Sequence, residues 1–499
     1  MKYVIGIDLG TSAVKVLLVN QSGEVVKVVS KNYPLLHEKS GYSEQEPEVW
    51  VTQTIAGLSE ILDGFPEDPE TIEGISFSGQ MHGLVLLDEN NIVLRNAILW
   101  NDTRTTEECQ EIYEVVGKEQ LLKVTKNPAL EGFTLPKILW VKKHEPEIFS
   151  KIKTFVLPKD YLRYRLSGEL NMDFSDAAGT LLLNISEKKW SKEILNLLDI
   201  PEDICPALVN SHDKVGNITN EIAGVTGLSP LTSIIAGGAD NACGAIGSGI
   251  LKEGITLCSI GTSGVVLSYE TTSDKNFEGK VHYFNHGAPD SYYTMGVTLA
   301  AGYSLSWFKN VFADEETFED LVQGVDSVPV GSNGLMFTPY VAGERTPHAD
   351  ATIRGSFIGM DTSHERRDFV RAVMEGITYS LNESVAIFRN KGKSIETIVS
   401  TGGGTKNDTW LQIQADVFNA RIIKLSSEQG PGMGAAMLAA YGCGWYASLE
   451  ECADEFLRIE KEFLPIEENV EKYEELFPIY QGIYESTKEL NRKLIKYRK

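Results

Sequence analysis

The sequence predicts an α/β protein made of two duplicated halves. Strand and helix patterns alternate along the first half, which is typical of α/β architectures. The tripeptide Gly-Thr-Ser lies between two strand patterns at residues 10–12 and again at residues 261–263, 251 positions later. An internal duplication explains this repeat, although a common turn tripeptide can also recur by coincidence. We therefore place the boundary near residues 245–255 and predict domains at residues 1–248 and 249–499.

The individual elements follow from apolar periodicity and turn residues in chain order. Strand patterns, each bounded by glycine or polar turns, occur at residues 3–7, 14–20, 24–30, 255–260 and 264–270, and residues 72–94 are predicted to form a strand, a loop, a second strand and a turn. Helical periodicity occurs at residues 48–62 and 103–117, and another helix is expected to begin at residue 407 or 408. From about residue 448 the chain is charge-rich, and we expect this segment to be helical and peripheral.

Composition and charge narrow the possible classes of function. The chain has 499 residues, 42% hydrophobic and 23% charged, which is typical of a globular protein. Its formal net charge of −24 argues against a nucleic-acid binder, which would show a basic patch or stripe. The same negative field repels phosphorylated ligands. A phosphate site therefore has to be built locally, from backbone N–H groups and a few cations.

Cysteine usage and apolar segments exclude further classes. The six cysteines are scattered without a C-x-x-C pair, which predicts neither a zinc site nor a disulfide framework. Asp8 interrupts the first apolar run too early for a signal peptide. Residues 222–251 form a long apolar stretch, but its glycines and the central Asp240 disfavour a membrane span. We expect a cytoplasmic enzyme that binds neither a membrane nor a nucleic acid.

The segment GIDLGTSAVK, residues 6–15, has the features of a phosphate site. A glycine turn between two strands lets backbone N–H groups face an anion without interference from a Cβ atom. Thr11 and Ser12 add hydroxyl groups, and Lys15 adds a cation. Asp8, at the end of a buried strand, can hold Mg²⁺ directly or through water. The alternative is a plain hairpin turn in which Asp8 bonds local N–H groups.

A second glycine-rich turn lies at residues 402–404. An apolar strand leads into it, and the helix expected at Asn407 or Asp408 follows. This arrangement of strand, glycine turn and helix binds nucleotides through backbone contacts. It matches neither the Rossmann nor the P-loop signature. A plain strand-to-helix connector is the alternative, but three successive glycines exceed what a connector needs.

The loop SGQMHG, residues 78–83, and Asp240 are candidates for ligand recognition and proton transfer. Gln80 and His82 lie between two predicted strands, where an amide and a neutral imidazole can each donate to and accept from hydroxyl groups. A purely structural histidine is the alternative. Asp240 is either the N-cap of the following helix or a general base, and the two roles are compatible. Apolar surroundings raise a carboxyl pKa and helix N–H groups lower it, so the sequence leaves the direction open.

Taken together, these motifs resemble the FGGY family of carbohydrate kinases over essentially the whole chain. The tetrapeptide that names the family is absent. Besides the segments above, the resemblance is carried by FTLPKILWVKKHEPE, LPKDYLRYRLSGELNMDFSDAAGTLLLN, GGADNACGAIG, SIGTSG, GERTPHADATIRGSFIGM and TGGGTKN. It implies two duplicated actin-like, ribonuclease-H-like domains with an interdomain cleft. It also implies that the first domain binds a sugar and the second binds most of ATP.

The resemblance also implies the roles of individual residues. Asp240 matches the catalytic base. The implied sugar-binding residues are Met81, His82, Trp100, Asn101, Asp102, Asp240 and Asn241. The implied ATP-binding residues are Thr11, Ser12, Lys15, Gly261, Thr262, Gly302, Gly403, Gly404 and Asn407. Asp8, through water, and Asp240 are the implied ligands of Mg²⁺.

The Gln-Met-His-Gly loop and the Leu-Pro-Lys-Asp-Tyr block resemble those of family members that act on D-xylulose. The implied reaction is ATP-dependent phosphorylation of D-xylulose to D-xylulose 5-phosphate. One alternative is another sugar or polyol, such as gluconate, glycerol or ribulose. Another is a nucleotide-dependent actin-like or chaperone-like module that needs no sugar. Dimers are common in the family, so a homodimer is expected.

Overall fold

The computed structural model describes residues 1–498, and two seven-stranded sheets dominate it. The first sheet contains, in spatial order, Lys214–Asn217, Ser233–Ile235, Ile72–Gly79, Tyr3–Leu9, Ala13–Asn20 and Val25–Asn32, with Gly238–Ala239 also paired to Ile72–Gly79. The second sheet contains, in spatial order, His282–Asn285, Tyr292–Thr298, Gly264–Glu270, Gly254–Ile260, Ile395–Gly402, Arg421–Leu425 and Ile459–Phe463. The predicted α/β class is confirmed.

The two sheets share one order of strand directions. Starting from Val25–Asn32, the successive pairings in the first sheet are antiparallel, antiparallel, parallel, parallel and antiparallel. Starting from Tyr292–Thr298, the second sheet repeats the same five directions. In each series the Gly-Thr-Ser turn joins the second and third strands. This shared topology is what a duplicated domain produces, and it favours duplication over a coincidental turn.

Helices cover both faces of the first sheet. In the strand Tyr3–Leu9, Ile5 belongs to the core formed with the helix Pro47–Leu62. Its neighbour Val4 belongs to the core formed with the helix Gly430–Gly442. Successive residues of a strand point to opposite faces, so a strand that is covered on both sides is apolar along its length. This explains why the first strand reads YVIGIDL without polar alternation.

The helix Gly430–Gly442 lies against the first sheet, although it follows strands of the second sheet in the chain. A Cβ atom on Gly6 would overlap a carbonyl group of this helix. A Cβ atom on Gly434 would overlap the carbonyl of Cys243, in the helix Asp240–Ile246. Glycine permits these close backbone approaches. The C-terminal half of the chain therefore supports the helix that begins at Asp240.

The C-terminal segment differs from the prediction in one element. The helices Leu449–Phe456 and Glu467–Leu494 are present as expected, but Ile459–Phe463 forms a strand between them. This strand pairs antiparallel with Arg421–Leu425 at the edge of the second sheet. Most of its side chains are exposed, so it lacks the alternation of buried and exposed residues that normally marks a strand.

The predicted helices at residues 48–62 and 103–117 are observed as Pro47–Leu62 and Thr106–Val115. The other helices are Lys118–Thr125, Thr134–His144, Pro146–Phe149, Pro158–Ser167, Phe174–Ala178, Lys192–Leu197, Asn220–Thr226, Gly302–Phe312, Phe318–Leu321, Arg366–Asn390 and Asp408–Phe418. Two-stranded sheets pair Glu44–Gln45 with Ala97–Ile98, Val85–Leu87 with Thr154–Val156, Met172–Asp173 with Leu208–Val209, Leu183–Asn184 with Lys189–Trp190, and Met336–Thr338 with Ser356–Ile358. Across residues 1–498, no helix combines the length and the apolar character needed to cross a membrane.

Candidate active site

Asp240 is the first residue of the helix Asp240–Ile246, where the short strand Gly238–Ala239 ends. Its Oδ1 atom accepts hydrogen bonds from the backbone N–H of Asn241 at 2.6 Å and from the Asn241 side-chain amide at 3.0 Å. The N-cap position belongs to Ala239, so the interpretation of Asp240 as the helix N-cap is wrong. Among residues 1–498, no protein group donates a hydrogen bond to Oδ2, which leaves this oxygen open to a ligand.

The surroundings of Asp240 raise its pKa, a direction that the sequence alone left open. Burial raises the pKa of Asp240 to about 7, and the charge of Asp8 adds to the rise, whereas the Asn241 N–H opposes it. A carboxylate with a pKa near the operating pH is well suited to take a proton from a hydroxyl group. The geometry and the electrostatics therefore agree with the predicted role of a general base.

Asp8 lies near the end of the strand Tyr3–Leu9. Its partner in one neighbouring strand is Lys15, and its partner in the other is Ser78. Burial raises the pKa of Asp8, while the Lys15 ammonium and the nearby Ser78 hydroxyl lower it. The two carboxylates predicted to hold a metal ion therefore lie close enough for the charge of Asp8 to act on Asp240.

The first Gly-Thr-Ser turn contacts the predicted sugar block. The turn is closed by a hydrogen bond from the Gly10 N–H to the Ala13 carbonyl at 3.0 Å. The indole N–H of Trp100 donates to Thr11 Oγ1 at 2.9 Å. Ser12, the next residue of the turn, is exposed. A predicted phosphate residue and a predicted sugar residue are thus in direct contact.

His82 is held in one tautomer. It has a φ of +66°, and its Nδ1 atom lies 2.7 Å from the Gly179 carbonyl oxygen. A carbonyl can only accept, so Nδ1 carries the proton and Nε2 is left as a hydrogen-bond acceptor. Burial lowers the pKa of His82 to about 3, so the imidazole is neutral. The ring of Phe133 lies beside it, with the centroids 4.5 Å apart.

Met81 links this histidine loop to Asp240. The side-chain amide of Asn241 donates to Met81 Sδ at 3.4 Å and to Asp240 Oδ1 at 3.0 Å. We call the series Asp240, Asn241 and Met81 the contact chain. Through it, the candidate base and the loop that carries His82 are connected by side chains alone.

The predicted sugar residues Trp100, Asn101 and Asp102 have different surroundings. Trp100 is 45% exposed, and Asn101 is also exposed. Asp102 is buried, and its carboxylate accepts hydrogen bonds from the Arg104 guanidinium at 2.9 and 2.6 Å and from the Ser43 N–H at 2.6 Å. These contacts make Asp102 an anchor of the loop, and its contact with a sugar stays a prediction.

The second Gly-Thr-Ser turn rests on the first residues of the helix Gly302–Phe312. The Gly302 N–H donates to the Gly261 carbonyl at 2.8 Å, and the Ala301 N–H donates to the Thr262 carbonyl at 3.0 Å. A Cβ atom on Gly302 would lie 2.5 Å from the Gly261 oxygen. Only glycine fits this approach, so three of the predicted ATP-binding residues form one unit.

The glycine turn at residues 402–404 completes this edge of the second sheet. Gly402 is the register partner of Ile260, the residue before the second Gly-Thr-Ser turn. A Cβ atom on Gly404 would lie 2.7 Å from the Ile260 side chain. Asn407 is the N-cap of the next helix, and its Oδ1 atom accepts the Trp410 N–H at 2.9 Å. The two glycine-rich turns predicted to bind ATP in the second half are therefore adjacent.

Sequence reasoning missed two charged side chains that hold these loops. The Arg104 guanidinium lies 3.6 Å from the ring centroid of Tyr42 and 4.8 Å from that of Trp140. Lys159 is fully buried among three carboxylates. The adjacent Lys and Asp of the Leu-Pro-Lys-Asp-Tyr block were a signal for a buried ion pair. That signal did not identify the other two carboxylates, which lie farther along the chain.

Comparison with known proteins gives one consistent family. The model of the N-terminal domain of the FGGY family of carbohydrate kinases matches residues 3–247, and the model of its C-terminal domain matches residues 256–443. The chain is 62% identical to the xylulose kinase of Bacillus subtilis (strain 168) over 499 residues, covering 100% of both chains.

Solved structures agree with this assignment. A ligand-bound xylulose kinase from Lactobacillus acidophilus matches with a TM-score of 0.93 at 29% identity, covering 99% of this chain and 100% of that chain. A gluconate kinase from Lactobacillus acidophilus matches with a TM-score of 0.92 at 29% identity, covering 97% and 98% of the two chains. The predicted pair of actin-like α/β domains is confirmed. The predicted homodimer and cytoplasmic location stay predictions. The chain belongs to the FGGY family of carbohydrate kinases.

Proposed function

We propose that this protein transfers the γ-phosphoryl group of ATP to D-xylulose, giving D-xylulose 5-phosphate and ADP. The xylulose kinase of Bacillus subtilis, at 62% identity, supports this substrate. The observation that carries the proposal is the contact chain from Asp240 to Met81, which joins a carboxyl group of pKa about 7 to the loop of the neutral His82. A proton acceptor and a hydroxyl-binding loop are thereby held next to each other.

Asp240 is the general base in this proposal. As the C5 hydroxyl oxygen bonds to the γ-phosphorus, its proton passes to the Asp240 carboxylate. The bond between the γ-phosphorus and the bridging oxygen breaks, and ADP leaves. Because Asn241 occupies Oδ1, the free Oδ2 is the oxygen that takes the proton.

The substrates divide between the two domains. Residues 1–248 bind the sugar, and His82 Nε2 accepts a hydrogen bond from one of its hydroxyl groups because Nδ1 is already bonded to Gly179. The remaining sugar contacts come from Met81, Trp100, Asn101, Asp102 and Asn241. Residues 249–499 bind most of ATP through Gly261, Thr262, Gly302, Gly403, Gly404 and Asn407. Thr11, Ser12 and Lys15 meet its γ-phosphate from the first domain.

Asp8 and Asp240 fit a divalent cation. The charge of Asp8 raises the pKa of Asp240, and a bound cation would relieve that repulsion. Asp8, through water, and Asp240 would hold Mg²⁺, which when bound neutralises charge on the phosphoryl oxygens.

A substrate panel tests the proposal. The purified protein is given ATP with D-xylulose, gluconate, glycerol or ribulose, and ADP release is followed by a coupled assay. We expect kcat/KM for D-xylulose to exceed the others by at least about tenfold, because a site that hydrogen-bonds its substrate can reject an analogue lacking the bonded group by about 10⁴-fold or more. Gluconate is the second candidate, because a gluconate kinase has a nearly equal TM-score. Far faster turnover of gluconate or glycerol would contradict the D-xylulose assignment.

The same assay without sugar tests the other class of function. ATP hydrolysis that is equally fast with and without D-xylulose would support a nucleotide-dependent actin-like or chaperone-like module. The proposal expects ADP release to depend on the sugar, because Asp240 is placed to accept a hydroxyl proton beside the His82 loop.

A further inference from the structure

A buried cluster of charged side chains lies beneath Asp240 and has no role in the chemistry described above. Its members Lys159, Asp160, Arg163, Asp173 and Asp176 are each at most 1% exposed. The Lys159 ammonium lies 2.6 Å from Asp160, 3.0 Å from Asp173 and 3.3 Å from Asp176. Arg163 lies 3.1 Å from Asp160. Such a cluster is costly to bury, because each charged group loses its hydration.

The cluster is not a metal site, although its three carboxylates lie close enough together to hold an ion. The ammonium of Lys159 already occupies the position that a cation would take. Burial opposes the charge of Lys159, but the three carboxylates raise its pKa and keep it protonated. Burial and the neighbouring acids raise the pKa of Asp176 well above its usual value, which limits the net charge of the cluster.

One arm of the cluster reaches the residue before Asp240. Asp173 Oδ2 accepts hydrogen bonds from the hydroxyl of Ser175 at 2.5 Å and from the hydroxyl of Ser211 at 2.7 Å. Because Ser175 donates its proton to Asp173, its oxygen is free to accept. It accepts the N–H of Ala239 at 2.9 Å. The series Lys159, Asp173, Ser175 and Ala239 thus ends at the backbone N–H of the residue before Asp240.

The same short segment also reaches His82. Residues 173–179 contain the helix Phe174–Ala178, and the Gly179 carbonyl at its end accepts the Nδ1–H of His82 at 2.7 Å. Lys159 also contacts the strand that leads into the histidine loop, because a Cβ atom on Gly79 would lie 2.5 Å from the Lys159 Cβ. One segment therefore bonds the residue before Asp240 through Ser175 and bonds His82 through Gly179.

We propose that Lys159 is a positioning residue which, through Asp173 and Ser175, fixes Asp240 against the sugar hydroxyl while the same segment fixes His82. This inference rests on the proposed function of Asp240. Its signature is a loss in the chemical step rather than in ATP binding, because the cluster contacts none of the predicted ATP residues of the second domain. Displacing a catalytic group by about 1 Å can cost about 100-fold in rate.

The direct variant Lys159→Met would leave three buried carboxylates without their cation, and we expect it to fold poorly. Ser175→Ala tests the link instead, with Ser211→Ala as the matched control. Both variants remove one hydroxyl from Asp173, but only Ser175 also accepts the Ala239 N–H. We expect Ser175→Ala to lower kcat about 10- to 100-fold, as orienting residues do. The KM for ATP should stay within about twofold.

The control and the rescue separate positioning from general structural damage. Ser211→Ala should lower kcat by less than about threefold, and Ser175→Thr, which keeps a hydroxyl, should recover most of the lost rate. Equal kcat losses in Ser175→Ala and Ser211→Ala would overturn the proposal. It would also be overturned if Ser175→Ala raised the KM for ATP in proportion to the loss of kcat.

A structural measurement keeps this inference separate from the choice of substrate. Crystal structures of the two variants should show the Asp240 carboxyl displaced by more than about 0.5 Å in Ser175→Ala but not in Ser211→Ala. An unmoved carboxyl in Ser175→Ala overturns the inference whatever the sugar is. A wild-type protein that does not phosphorylate D-xylulose overturns only the proposed function.

Discussion

Replacing Asp240 by Asn should abolish most of the activity while making the folded protein more stable. The Asn side chain keeps an oxygen that can accept the Asn241 N–H, which bonds Asp240 Oδ1 at 2.6 Å in the wild type. It cannot take a proton from the sugar hydroxyl. Removal of a general base typically costs about 10²- to 10⁴-fold in kcat. The KM for ATP should change by less than about threefold, because the second-domain turns do not contact Asp240.

The gain in stability follows from the raised pKa of Asp240. Burial and the charge of Asp8 raise this pKa from 3.8 to about 7. One pKa unit corresponds to about 1.4 kcal/mol, so ionising Asp240 in the folded protein costs at most about 4 kcal/mol more than in the unfolded chain. Because Asp240 is partly exposed, solvent screening reduces this to about 1–2 kcal/mol. Between about pH 4 and about pH 7, Asp240 is still protonated in the folded protein but has lost its proton in the unfolded chain. The stability of the wild type therefore falls as the pH rises through this range.

Two assays on the same protein samples test this pair of effects. Coupled ADP release gives kcat, and thermal unfolding at about pH 5 and about pH 8 gives the difference in Tm. We expect Asp240→Asn to unfold about 1–4 °C above the wild type at about pH 8, with a smaller gap at about pH 5. Retention of more than about a hundredth of wild-type kcat would remove Asp240 from the role of general base. If the variant and the wild type had equal Tm values at each pH, the inferred cost of burying the Asp240 charge would be refuted.

Four further predictions concern Asp240 and the residues around it. His82→Ala should raise the KM for D-xylulose about tenfold, the value of one hydrogen bond, while the KM for ATP stays unchanged; equal changes in both constants would contradict a sugar contact. Gly302→Ala should raise the KM for ATP about tenfold, because its Cβ atom would lie 2.5 Å from a carbonyl of the second Gly-Thr-Ser turn. Gly482→Ala, where a Cβ atom meets no neighbour, is the control for this variant and should leave both KM values unchanged. The wild-type kcat/KM should fall on the acidic side with an apparent pKa near 7, as Asp240 becomes protonated. Asp8→Asn should move that acidic limb to lower pH, because the charge of Asp8 raises the pKa of Asp240; an unmoved limb in the pH–rate profile would contradict the coupling.

Local patterns were sufficient to predict most of the fold and the turns of the site. The hairpins around residues 10–12 and 261–263 and the turn at residues 402–404 depend on glycine, apolar strands and helix caps, which neighbouring residues encode. The strand Ile459–Phe463 was missed because its side chains are exposed and only its pairing with Arg421–Leu425 makes it a strand. The strand conformation of this segment is therefore set by its tertiary contacts rather than by its local sequence.

The buried polar contacts of the site were beyond sequence reasoning for a similar reason. The sequence does not show that the Asp102 carboxylate is already engaged, but in the folded protein Arg104 and Ser43 donate hydrogen bonds to its oxygens. The pKa of Asp240 depends on burial and on Asp8, which is more than two hundred residues away in the chain. Such long-range juxtapositions are fixed by sheet topology, and no local pattern records them.

The central claim is that Asp240 takes the proton of the attacking D-xylulose hydroxyl. A crystal structure of the protein with D-xylulose and a non-hydrolysable ATP analogue tests it most directly. We predict the C5 hydroxyl within about 2.6–3.2 Å of Asp240 Oδ2, the reach of a general base. His82 Nε2 should accept a different hydroxyl of the same sugar. A bound sugar that presents no hydroxyl to Asp240 would contradict the claim.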